Sequence, residues 1–434
     1  MSKELKIVWL CTVNNRDIYS RIQLSSFVLI RLKQCLLGRP VPKFTEKAQW
    51  NTNAIKEFEK FEDIKLSVIF PYDGIKGRIQ NFSINGIEYF CYRTDDDFLS
   101  SFVKIKIFRR KKDYPKTRKI VSFLISKIKP DVVHVIGAEN PNYSICALDV
   151  PKTIPCVVSL QTLLSFPGFK DNYPMGERLY QYRSYIEQSV LKRSDYIAST
   201  MKPYNDYIRK YIKTDAIFLN MKLAVGVEVN MEKKESEYDF VYFAKNIKKA
   251  ADDALNAFAL AHNENPSLTL NISGSYDPDY KIKLEERIME LNLEKCVYIT
   301  GSKQTHDEVL NQIKKSRFAL LPLKVDLISS TVREAMACGL PVVTTITPAT
   351  PDLNARRESV LLSNKGDYKG MAHNMLRLVC DTEYANQIRE NAVITIQEKY
   401  SNEALMKQWR KAYFEIIDNF RNESLLSKDI CSAD

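Results

Sequence analysis

Apolar residues in the first half of the chain fall into short runs, separated by segments with helical spacing. The runs cover residues 5–11, 67–70, 131–136, 156–160 and 195–198. Apolar runs of this length are typical of buried strands. In segments 119–128 and 178–192 the apolar residues recur every three or four positions, which predicts amphipathic helices. Alternating strands and helices predict a mostly parallel, doubly wound α/β sheet.

The second half repeats this alternation more regularly. Predicted strands cover 239–244, 268–272, 297–300, 318–321 and 341–344, and predicted helices cover 250–262, 282–291, 307–315 and 332–337. After 359–362 the chain becomes helical, with one long amphipathic region over 384–420. The charged segment 231–237 is interpreted as a linker. We therefore predict two Rossmann-like domains that face each other, over residues 1–230 and 238–420, with the last helix free to cross back to the first domain.

Positive charge exceeds negative charge along the chain, with 64 Lys and Arg against 53 Asp and Glu. Part of the excess lies in a basic run from Lys104 to Lys119, KIKIFRRKKDYPKTRK. Such a run is compatible with an anionic membrane surface, a polyphosphate ligand or an ordinary solvated surface. No nucleic-acid-binding motif accompanies it, so nucleic acid is not expected as a partner.

Signals for export and for metal binding are absent from the sequence. The amino-terminal apolar run is too short for a signal peptide, and no stretch reaches the roughly 18 apolar residues of a membrane span. The nine cysteines form no C-x-x-C pair, and the four histidines have no metal-ligand spacing. We therefore expect a cytoplasmic protein with reduced thiols, without a metal ion or another cofactor.

Three loops of the second half form the predicted ligand-binding region, because ligands of doubly wound sheets bind beyond the carboxyl ends of strands. These loops are 245–249, 274–279 and 324–334. Lys245, Lys248 and Lys249 lie between a strand and a helix, where cations neutralise a diphosphate that meets the helix N-terminal amides. The alternative is an ordinary solvated loop.

The segment 326–345, DLISSTVREAMACGLPVVTT, carries the densest set of candidate polar residues. Thr331 and Glu334 fit T-x-x-E, so one interpretation of Glu334 is the third residue of a capping box. The other interpretation is a carboxylate that accepts hydrogen bonds from a vicinal diol such as a ribose. Ser330 and Thr331 would then offer backbone amides to phosphate, and Asp326 would meet a sugar hydroxyl.

Together these segments resemble the family 4 retaining glycosyltransferases, the glycosyl transferases group 1 domain, whose fold is the two-Rossmann-domain GT-B type. The resemblance over residues 239–400 is carried by VYFAKNIKKAADDALNAFALAH, LTLNISGS, EKCVYITGS, FALLPLKVDLISSTVREAMACGLPVVTT and TPDLNARRESVLL. In the first half, KPDVVHVIGAENP and VPKTIPCVVSLQTLLS also look like matching segments. The resemblance implies that residues 1–230 bind an acceptor, that residues 238–420 bind a nucleotide-sugar, and that the donor cleft lies between them.

Residue by residue, the family's acidic pair falls on Asp326 and Glu334, and its basic diphosphate ligands fall on Lys245 and Lys249. The resemblance implies a catalytic set of Asp326, Lys245 and Lys249. It implies a donor-binding set of Glu334, Ser330, Thr331, Gly274, Gly301 and Lys248. It implies an acceptor side with Glu139, Gln161 and Asn15. His134, within a strand, is expected to be a hydrogen-bonded core residue.

Several positions depart from the family pattern. Asp326 replaces a Glu, and Lys245 replaces an Arg, which keeps the charge but loses the fork geometry. Pro348 and Ala349 replace a Gly-Gly pair, Asn14 and Asn15 stand in a Gly-rich loop, and Gln161 stands where a His is frequent. These departures keep open a degenerate GT-B subunit that binds a membrane or a partner.

The resemblance implies transfer of a sugar from a nucleoside-diphosphate-sugar to a hydroxyl of a glycan or lipid-linked acceptor, with retention of anomeric configuration. It points to surface polysaccharide biosynthesis at the cytoplasmic side of a membrane. Two alternatives are a sugar-nucleotide epimerase of GT-B fold and the degenerate subunit. Acidic strings at 95–97 and 277–279 could suggest a metal-dependent GT-A enzyme. This interpretation is set aside, because the second string falls where the GT-B pattern has a loop and Pro278 favours a turn.

Overall fold

The structure is a computed structural model that describes residues 4–25, 46, 48–95, 113–172, 175–224, 229, 235–324, 330–347 and 349–431, without the side chains of Asp171, Asn172 and Lys249. The chain separates into two compact units. Unit 1 comprises Met1–Ala224 with Leu405–Asp434, and unit 2 comprises Val225–Ala404.

Unit 1 contains an eight-stranded sheet in the order β3-β4-β2-β1-β5-β6-β7-β8. Its strands are β1 Leu5–Leu10, β2 Ile64–Pro71, β3 Ile79–Ile84, β4 Ile87–Tyr92, β5 Val132–Ile136, β6 Cys156–Ser159, β7 Tyr196–Ala198 and β8 Ile217–Leu219. The pairs are parallel except for the β3–β4 hairpin. Asn85 and Gly86 form its turn with φ of 50° and 82°, the left-handed conformation that a two-residue hairpin needs. This hairpin was not predicted from the sequence.

Helices connect the strands of unit 1. They are α1 Arg16–Arg21, α2 Gln49–Phe58, α3 Pro115–Ile128, α4 Pro141–Ser144, α5 Phe169–Asn172, α6 Glu177–Arg193 and α7 Lys202–Tyr211. The central strands β1 and β5 are buried along almost their whole length, as expected of strands covered on both faces. Their carboxyl ends lie side by side, because β1 pairs with β5 in parallel.

Unit 2 contains a six-stranded parallel sheet in the order β11-β10-β9-β12-β13-β14. Its strands are β9 Tyr238–Asn246, β10 Leu270–Ser275, β11 Val297–Gly301, β12 Ser316–Leu321, β13 Val342–Thr345 and β14 Leu361–Ser363. Its helices are α8 Ala251–Glu264, α9 Pro278–Glu290, α10 His306–Ile313, α11 Ser330–Ala337, α12 Tyr368–Cys380 and α13 Thr382–Tyr400. The strand order reverses direction between β9 and β12, where doubly wound sheets bind ligands.

The carboxy-terminal helix α14, Asn402–Asn422, packs into unit 1. Its Trp409 and Tyr413 are buried beside Trp9 of β1, whose indole N–H donates to the Tyr413 hydroxyl over 2.9 Å. The amphipathic region predicted over 384–420 is divided between two helices, because α13 ends at Tyr400. Ser401 interrupts it with an extended backbone, and its hydroxyl accepts a hydrogen bond from the N–H of Ala404 in the first turn of α14.

The predicted α/β class with two parallel-sheet domains is confirmed. Most predicted strands of the second half overlap their observed counterparts, since fully buried parallel strands give clear apolar runs. No helix within the described part of the chain is both long and apolar enough to cross a membrane.

Candidate functional site

The strand-order reversal of unit 2 brings two loops together. Lys245 and Asn246 end β9, and the segment after Leu321 leads from β12 towards α11. Because β9 and β12 are parallel neighbours, their carboxyl ends meet at one edge of the sheet. The structure thus brings Lys245 and the start of α11 to the same edge.

Side-chain hydrogen bonds hold the end of β9 and the loop that follows it. The Ser275 hydroxyl donates to the Lys245 carbonyl, and Asn246 Oδ1 accepts from the N–H of Lys248 over 3.1 Å. Lys245 and Lys248 are both exposed, and the Lys248 ammonium lies 5.7 Å from the centre of the Tyr280 ring. Lys249 ends the short 3₁₀ turn Ile247–Lys249, and its side chain lies outside the described residues. The edge therefore presents at least two cations.

Gly274 is required by packing. Its φ is 146°, and a Cβ at this position would lie 1.9 Å from the carbonyl oxygen of Ala244. The glycine thus lets the ends of β9 and β10 approach closely. Gly301 ends β11 with a φ of 67°, and a Cβ there would meet only the Tyr276 hydroxyl, at 3.6 Å. Whether either glycine contacts a donor stays a prediction.

Threonines of β13 hold the beginning of the loop that leads to α11. Thr345 Oγ1 accepts from the N–H of Leu323 over 2.8 Å and donates to the Leu323 carbonyl over 2.7 Å. Thr344 Oγ1 donates to the carbonyl of Leu321 over 2.6 Å. Asp326, the first member of the predicted acidic pair, lies outside the described residues. Residues 330 and 331 form the first described turn of α11.

Glu334 is 6% exposed and its carboxylate faces His306 across 3.7 Å. Burial raises the pKa of Glu334, and the positive charges of His306 and Arg333 partly oppose that rise. The capping-box interpretation was wrong, because Thr331 is itself a helical residue and not an N-cap. A capping box does occur one helix earlier, between Thr305 and Glu308.

His306 was not identified from the sequence. It is the first residue of α10, and only the tertiary fold brings it to α11. A second missed group lies beside the loop after β12. The Lys324 ammonium is 3.2 Å from Asp253, and Asp253 also accepts from the Tyr368 hydroxyl over 2.7 Å. These contacts fix the start of α8 next to the chain that leads into the segment with Asp326.

The corresponding edge of unit 1 carries the three residues predicted for the acceptor side. Asn15 follows β1, Glu139 follows β5 and Gln161 follows β6, so they lie at the carboxyl ends of three adjacent strands. Asn15 caps α1, because its Oδ1 accepts from the N–H of Ile18 over 2.8 Å. Gln161 Nε2 donates to the carbonyl of Ile136 over 3.3 Å.

Glu139 is almost completely buried, with 7% of its surface exposed. Its Oε1 accepts from Asn140 Nδ2 over 2.8 Å, while its Oε2 is buried without a hydrogen-bond partner among the described residues. Burial raises the pKa of Glu139 to about 7, although Arg183 nearby lowers it. Gly137 makes this placement sterically allowed, since a Cβ there would lie 3.0 Å from both carboxylate oxygens.

A second buried acid, Glu187 of α6, supports this edge and was not identified from the sequence. Its carboxylate accepts from the N–H groups of Leu164 and Ser165 over 2.8 Å and 2.9 Å. Burial raises the pKa of Glu187 to about 7, and the charge of Glu139 contributes to the rise. Glu187 therefore anchors the loop that follows Gln161.

His134 is a core residue, as predicted. It is fully buried, with Nδ1 2.6 Å from the Tyr413 hydroxyl and Nε2 2.7 Å from the Ser159 hydroxyl. Burial lowers its pKa to about 3, so the ring is neutral. It ties β5 to both α14 and β6 and takes no part in the carboxyl-edge sites.

In each of the two acidic strings, a described aspartate accepts hydrogen bonds from backbone N–H groups at the N-terminus of a helix. Asp277 is the N-cap of α9 and accepts from the N–H of Tyr280 over 2.9 Å. Asp95 accepts from the N–H groups of Lys116 and Thr117, at the start of α3. Positions 96–97 lie outside the described residues. Within the described ranges no group of three or more His, Cys, Asp or Glu could hold a metal ion, and independence from metal stays a prediction.

Residues 104–112 of the basic run lie outside the described residues. The described remainder starts α3, where the Arg118 guanidinium makes two hydrogen bonds of 2.6 Å to Asp149. Among the described basic residues of the run, Arg118 is therefore used in an internal ion pair.

Comparisons with protein families and with curated proteins find similar proteins. Residues 228–394 match the family described as glycosyl transferases group 1. The N-acetyl-alpha-D-glucosaminyl L-malate synthase of Bacillus anthracis is 24% identical over 215 residues, 49% of this chain and 53% of that protein. An uncharacterized glycosyltransferase of Methanocaldococcus jannaschii is 24% identical over 217 residues, 49% and 59% respectively. The chain thus spans about half the length of the curated relatives it matches.

Solved structures resemble the chain over nearly its whole length. Sucrose-phosphate synthase from Thermosynechococcus elongatus has a TM-score of 0.64 and 14% identity, covering 95% of this chain and 99% of that one. Anabaena HepE in complex with UDP has a TM-score of 0.61 and 14% identity, covering 95% and 100%. At such identities the likeness establishes the fold, which is of the GT-B type.

Proposed function

We propose that this chain, whose residues 228–394 match the glycosyl transferases group 1 family, transfers a sugar from a UDP-sugar to a hydroxyl of a glycan or lipid-linked acceptor. The observation that carries this proposal is the arrangement at the unit 2 edge. Exposed Lys245 lies at the end of β9 and exposed Lys248 follows it, and the first turns of α11 with buried Glu334 follow β12. UDP is chosen as the nucleotide because HepE, of the same fold, is described in complex with UDP.

Each part of the donor has a matching group at this edge. The cations Lys245 and Lys249 bind the diphosphate together with backbone amides at Ser330 and Thr331, since helix N-termini favour anions. Glu334 accepts hydrogen bonds from the ribose diol, and its burial makes such bonds strong, because the surrounding dielectric is low. Gly274 and Gly301 keep the ends of β10 and β11 free of side chains where the donor approaches.

In the reaction the bond between the anomeric carbon and the diphosphate oxygen breaks, and a bond to the acceptor hydroxyl oxygen forms on the same face. The hydroxyl proton passes to the leaving diphosphate, so no protein nucleophile is needed. Lys245 and Lys249 stabilise the charge that grows on the diphosphate, and Asp326 orients a sugar hydroxyl. This course retains the anomeric configuration.

The acceptor binds at the unit 1 edge, where Glu139, Gln161 and Asn15 end three adjacent strands. Glu139 Oε2 is a buried oxygen without a hydrogen-bond partner among the described residues, so an acceptor hydroxyl supplies the missing donor. A glycan of surface polysaccharide biosynthesis fits this preference for neutral hydroxyls.

Transfer assays on the purified full chain test the proposal. UDP-glucose, UDP-N-acetylglucosamine and other UDP-sugars are incubated with glycan acceptors, and UDP release is measured. We expect release that depends on the acceptor, is unaffected by EDTA and is lost in Asp326→Ala. A strict requirement for Mg²⁺ or Mn²⁺ would contradict the proposed metal-independent chemistry.

The same assay separates the two alternatives. A sugar-nucleotide epimerase of GT-B fold would change the sugar of the donor without needing an acceptor. A degenerate subunit would bind UDP or a partner and release no UDP from any donor. We favour the transferase because two adjacent strands of unit 2 lead, at the same edge, to exposed lysines and to a helix with a buried carboxylate.

A lipid-linked acceptor requires a peripheral approach to the cytoplasmic face of a membrane, and the basic run Lys104–Lys119 supplies the charge for it. Each Lys or Arg near an anionic surface contributes about 1 kcal/mol. We expect sedimentation with anionic but not neutral liposomes, lost at high salt and weakened when Arg109, Arg110, Lys111 and Lys112 are changed to Glu. Equal and negligible sedimentation with both liposomes would favour a soluble acceptor.

A further inference from the structure

A cavity of unit 2 lies at the amino ends of β12 and β13, at the edge of the sheet opposite the candidate donor site. We call it the amino-edge cavity. It has a volume of about 450 Å³. Its lining comes from the start of β12 and the residues just before it, from the turn after α11 and from α13. Ligand pockets of proteins have volumes of about 300–1,000 Å³. The cavity is therefore large enough for a small molecule.

Three cationic side chains line this cavity, Lys314, Arg317 and Arg389. The Arg317 guanidinium forms an ion pair with the Asp239 carboxylate over 2.9 Å. Arg389 donates from Nε to the carbonyl of Gly339 and from Nη1 to Asn386 Oδ1, both neutral acceptors. Three cations and one paired acid leave an excess of two positive charges.

Two of the three cations, Arg317 and Arg389, repel each other. Burial lowers the pKa of Arg389, and the charge of Arg317 lowers it further, whereas the adjacent Glu390, which is exposed, opposes the shift. The charge of Lys314 also reaches the interior, because it lowers the pKa of the Cys338 thiol against the larger effect of burial. An anion in the cavity would relieve this repulsion.

A buried hydroxyl gives independent evidence for an occupant. Ser316 lines the cavity and is 2% exposed. Its Oγ is buried and has no hydrogen-bond partner among the described residues. Burying a polar group without a partner costs about 1–3 kcal/mol. A ligand oxygen would give this hydroxyl the partner that the fold does not supply.

The remaining wall of the cavity is apolar. Phe318, Leu340 and Leu378 line it, and all three are almost fully buried. The combination of an apolar wall with a cluster of cations matches a molecule that has an anionic head and an apolar body.

We propose that the amino-edge cavity is a binding site for a small phosphomonoester with an apolar body, distinct from the site at the carboxyl edge. The dianionic phosphate matches the excess of two positive charges, and one of its oxygens accepts from the Ser316 hydroxyl. Phe318, Leu340 and Leu378 contact the body of the ligand.

Calorimetric titration of the full chain with phenyl phosphate tests this assignment. Wild type binds the probe, with and without saturating UDP, while phenol does not bind. Lys314→Glu weakens binding at least about tenfold, or about 1.4 kcal/mol. Lys283→Glu, the same charge change at an exposed position of α9, leaves it unaltered. Equal affinities for Lys314→Glu and Lys283→Glu, displacement by UDP, or tighter binding of benzoate than of phenyl phosphate would overturn the proposal.

Ser316→Ala provides a second readout that does not depend on charge. This variant removes the unpartnered hydroxyl, so its Tm without the probe should be equal to or higher than that of wild type. The shift in Tm caused by phenyl phosphate should be smaller than in wild type. A lower Tm without the probe, together with an unchanged shift, would show that the hydroxyl serves the fold and not a ligand.

Discussion

The carboxyl ends of the unit 2 sheet carry exposed lysines, whereas those of the unit 1 sheet carry carboxyl groups that are almost completely buried. Lys245 and Lys248 are open to solvent and lie beside the chain that leads to α11. Glu139 and Glu187 are enclosed, and burial raises the pKa of each to about 7. The two parallel sheets thus end in edges with different chemistry.

The difference in charge and burial indicates which kind of substrate each edge can bind. Exposed lysines stay charged at neutral pH and attract a diphosphate, since charge-assisted hydrogen bonds to phosphate are strong. A buried carboxyl with a pKa near neutrality can accept from or donate to a neutral hydroxyl. Unit 2 also has a buried acid, Glu334, but its carboxylate Oε1 lies 3.7 Å from the His306 Nε2 atom.

Replacement of the lysine at the end of β9 should have the largest effect on sugar transfer. Lys245→Ala should lower kcat for sugar transfer by about 10²–10³, because a group that stabilises charge only in the transition state is lost. Lys283→Ala removes the same charge from the exposed surface of α9 and should leave kcat unchanged. Similar losses in both variants would mean that net charge, and not position, controls the reaction.

Replacement of Glu334 by a neutral residue should have an intermediate effect, on the binding of the donor. Glu334→Gln should weaken UDP binding by about 1.5–3 kcal/mol, the worth of a hydrogen bond to a charged group. Its stability at pH 8 should equal or exceed that of wild type, because burial raises the pKa of Glu334 and penalises its charged form. Calorimetry gives both quantities. Lower stability with unchanged UDP affinity would assign Glu334 to the fold alone.

The smallest effect on donor binding should come from Glu139, whose replacement should instead change the pH dependence of stability. Its folded pKa of about 7 lies above the ordinary 4.5, so the folded state binds the proton more tightly. This stabilisation is complete below pH 4.5 and is lost as pH rises through 7, at about 1.4 kcal/mol per unit of pKa shift. Glu139→Gln should therefore gain stability relative to wild type between pH 5 and pH 8.

Tryptophan fluorescence is a suitable measurement for this effect, because Trp9, Trp50 and Trp409 all belong to unit 1. Glu62→Gln changes an exposed carboxylate of the same unit and should show the same pH dependence as wild type. An identical pH dependence in Glu139→Gln and Glu62→Gln would show that Glu139 does not titrate abnormally.

Much of the fold could be predicted because its signals are local. The strands of unit 2 are buried parallel strands, so their apolar runs matched the structure. Two further local signals were present in the sequence and were overlooked. Asn85–Gly86 is a typical hairpin dipeptide, and Ser401 is a typical N-cap residue that separates α13 from α14.

The candidate sites could be predicted only in part, because tertiary contacts determine them. Proximity of His306 to Glu334 depends on how α10 packs beside α11, and the burial of Glu187 depends on the loop that it binds. The capping motif of Thr331 and Glu334 was misleading, since a helix that starts earlier turns an N-cap into an interior residue. The unpartnered hydroxyl of Ser316 likewise has no sequence signature.

Hydrogen–deuterium exchange of the full chain, with and without UDP, tests whether the donor binds at the lysine-bearing edge of unit 2. It reports on both edges in one experiment. UDP should slow exchange in peptides that cover residues 243–249 and 330–336 of unit 2. Peptides that cover residues 137–143 and 161–166 of unit 1 should exchange at the same rate in both samples. Protection confined to the unit 1 peptides would contradict the assignment of the donor to the lysine-bearing edge.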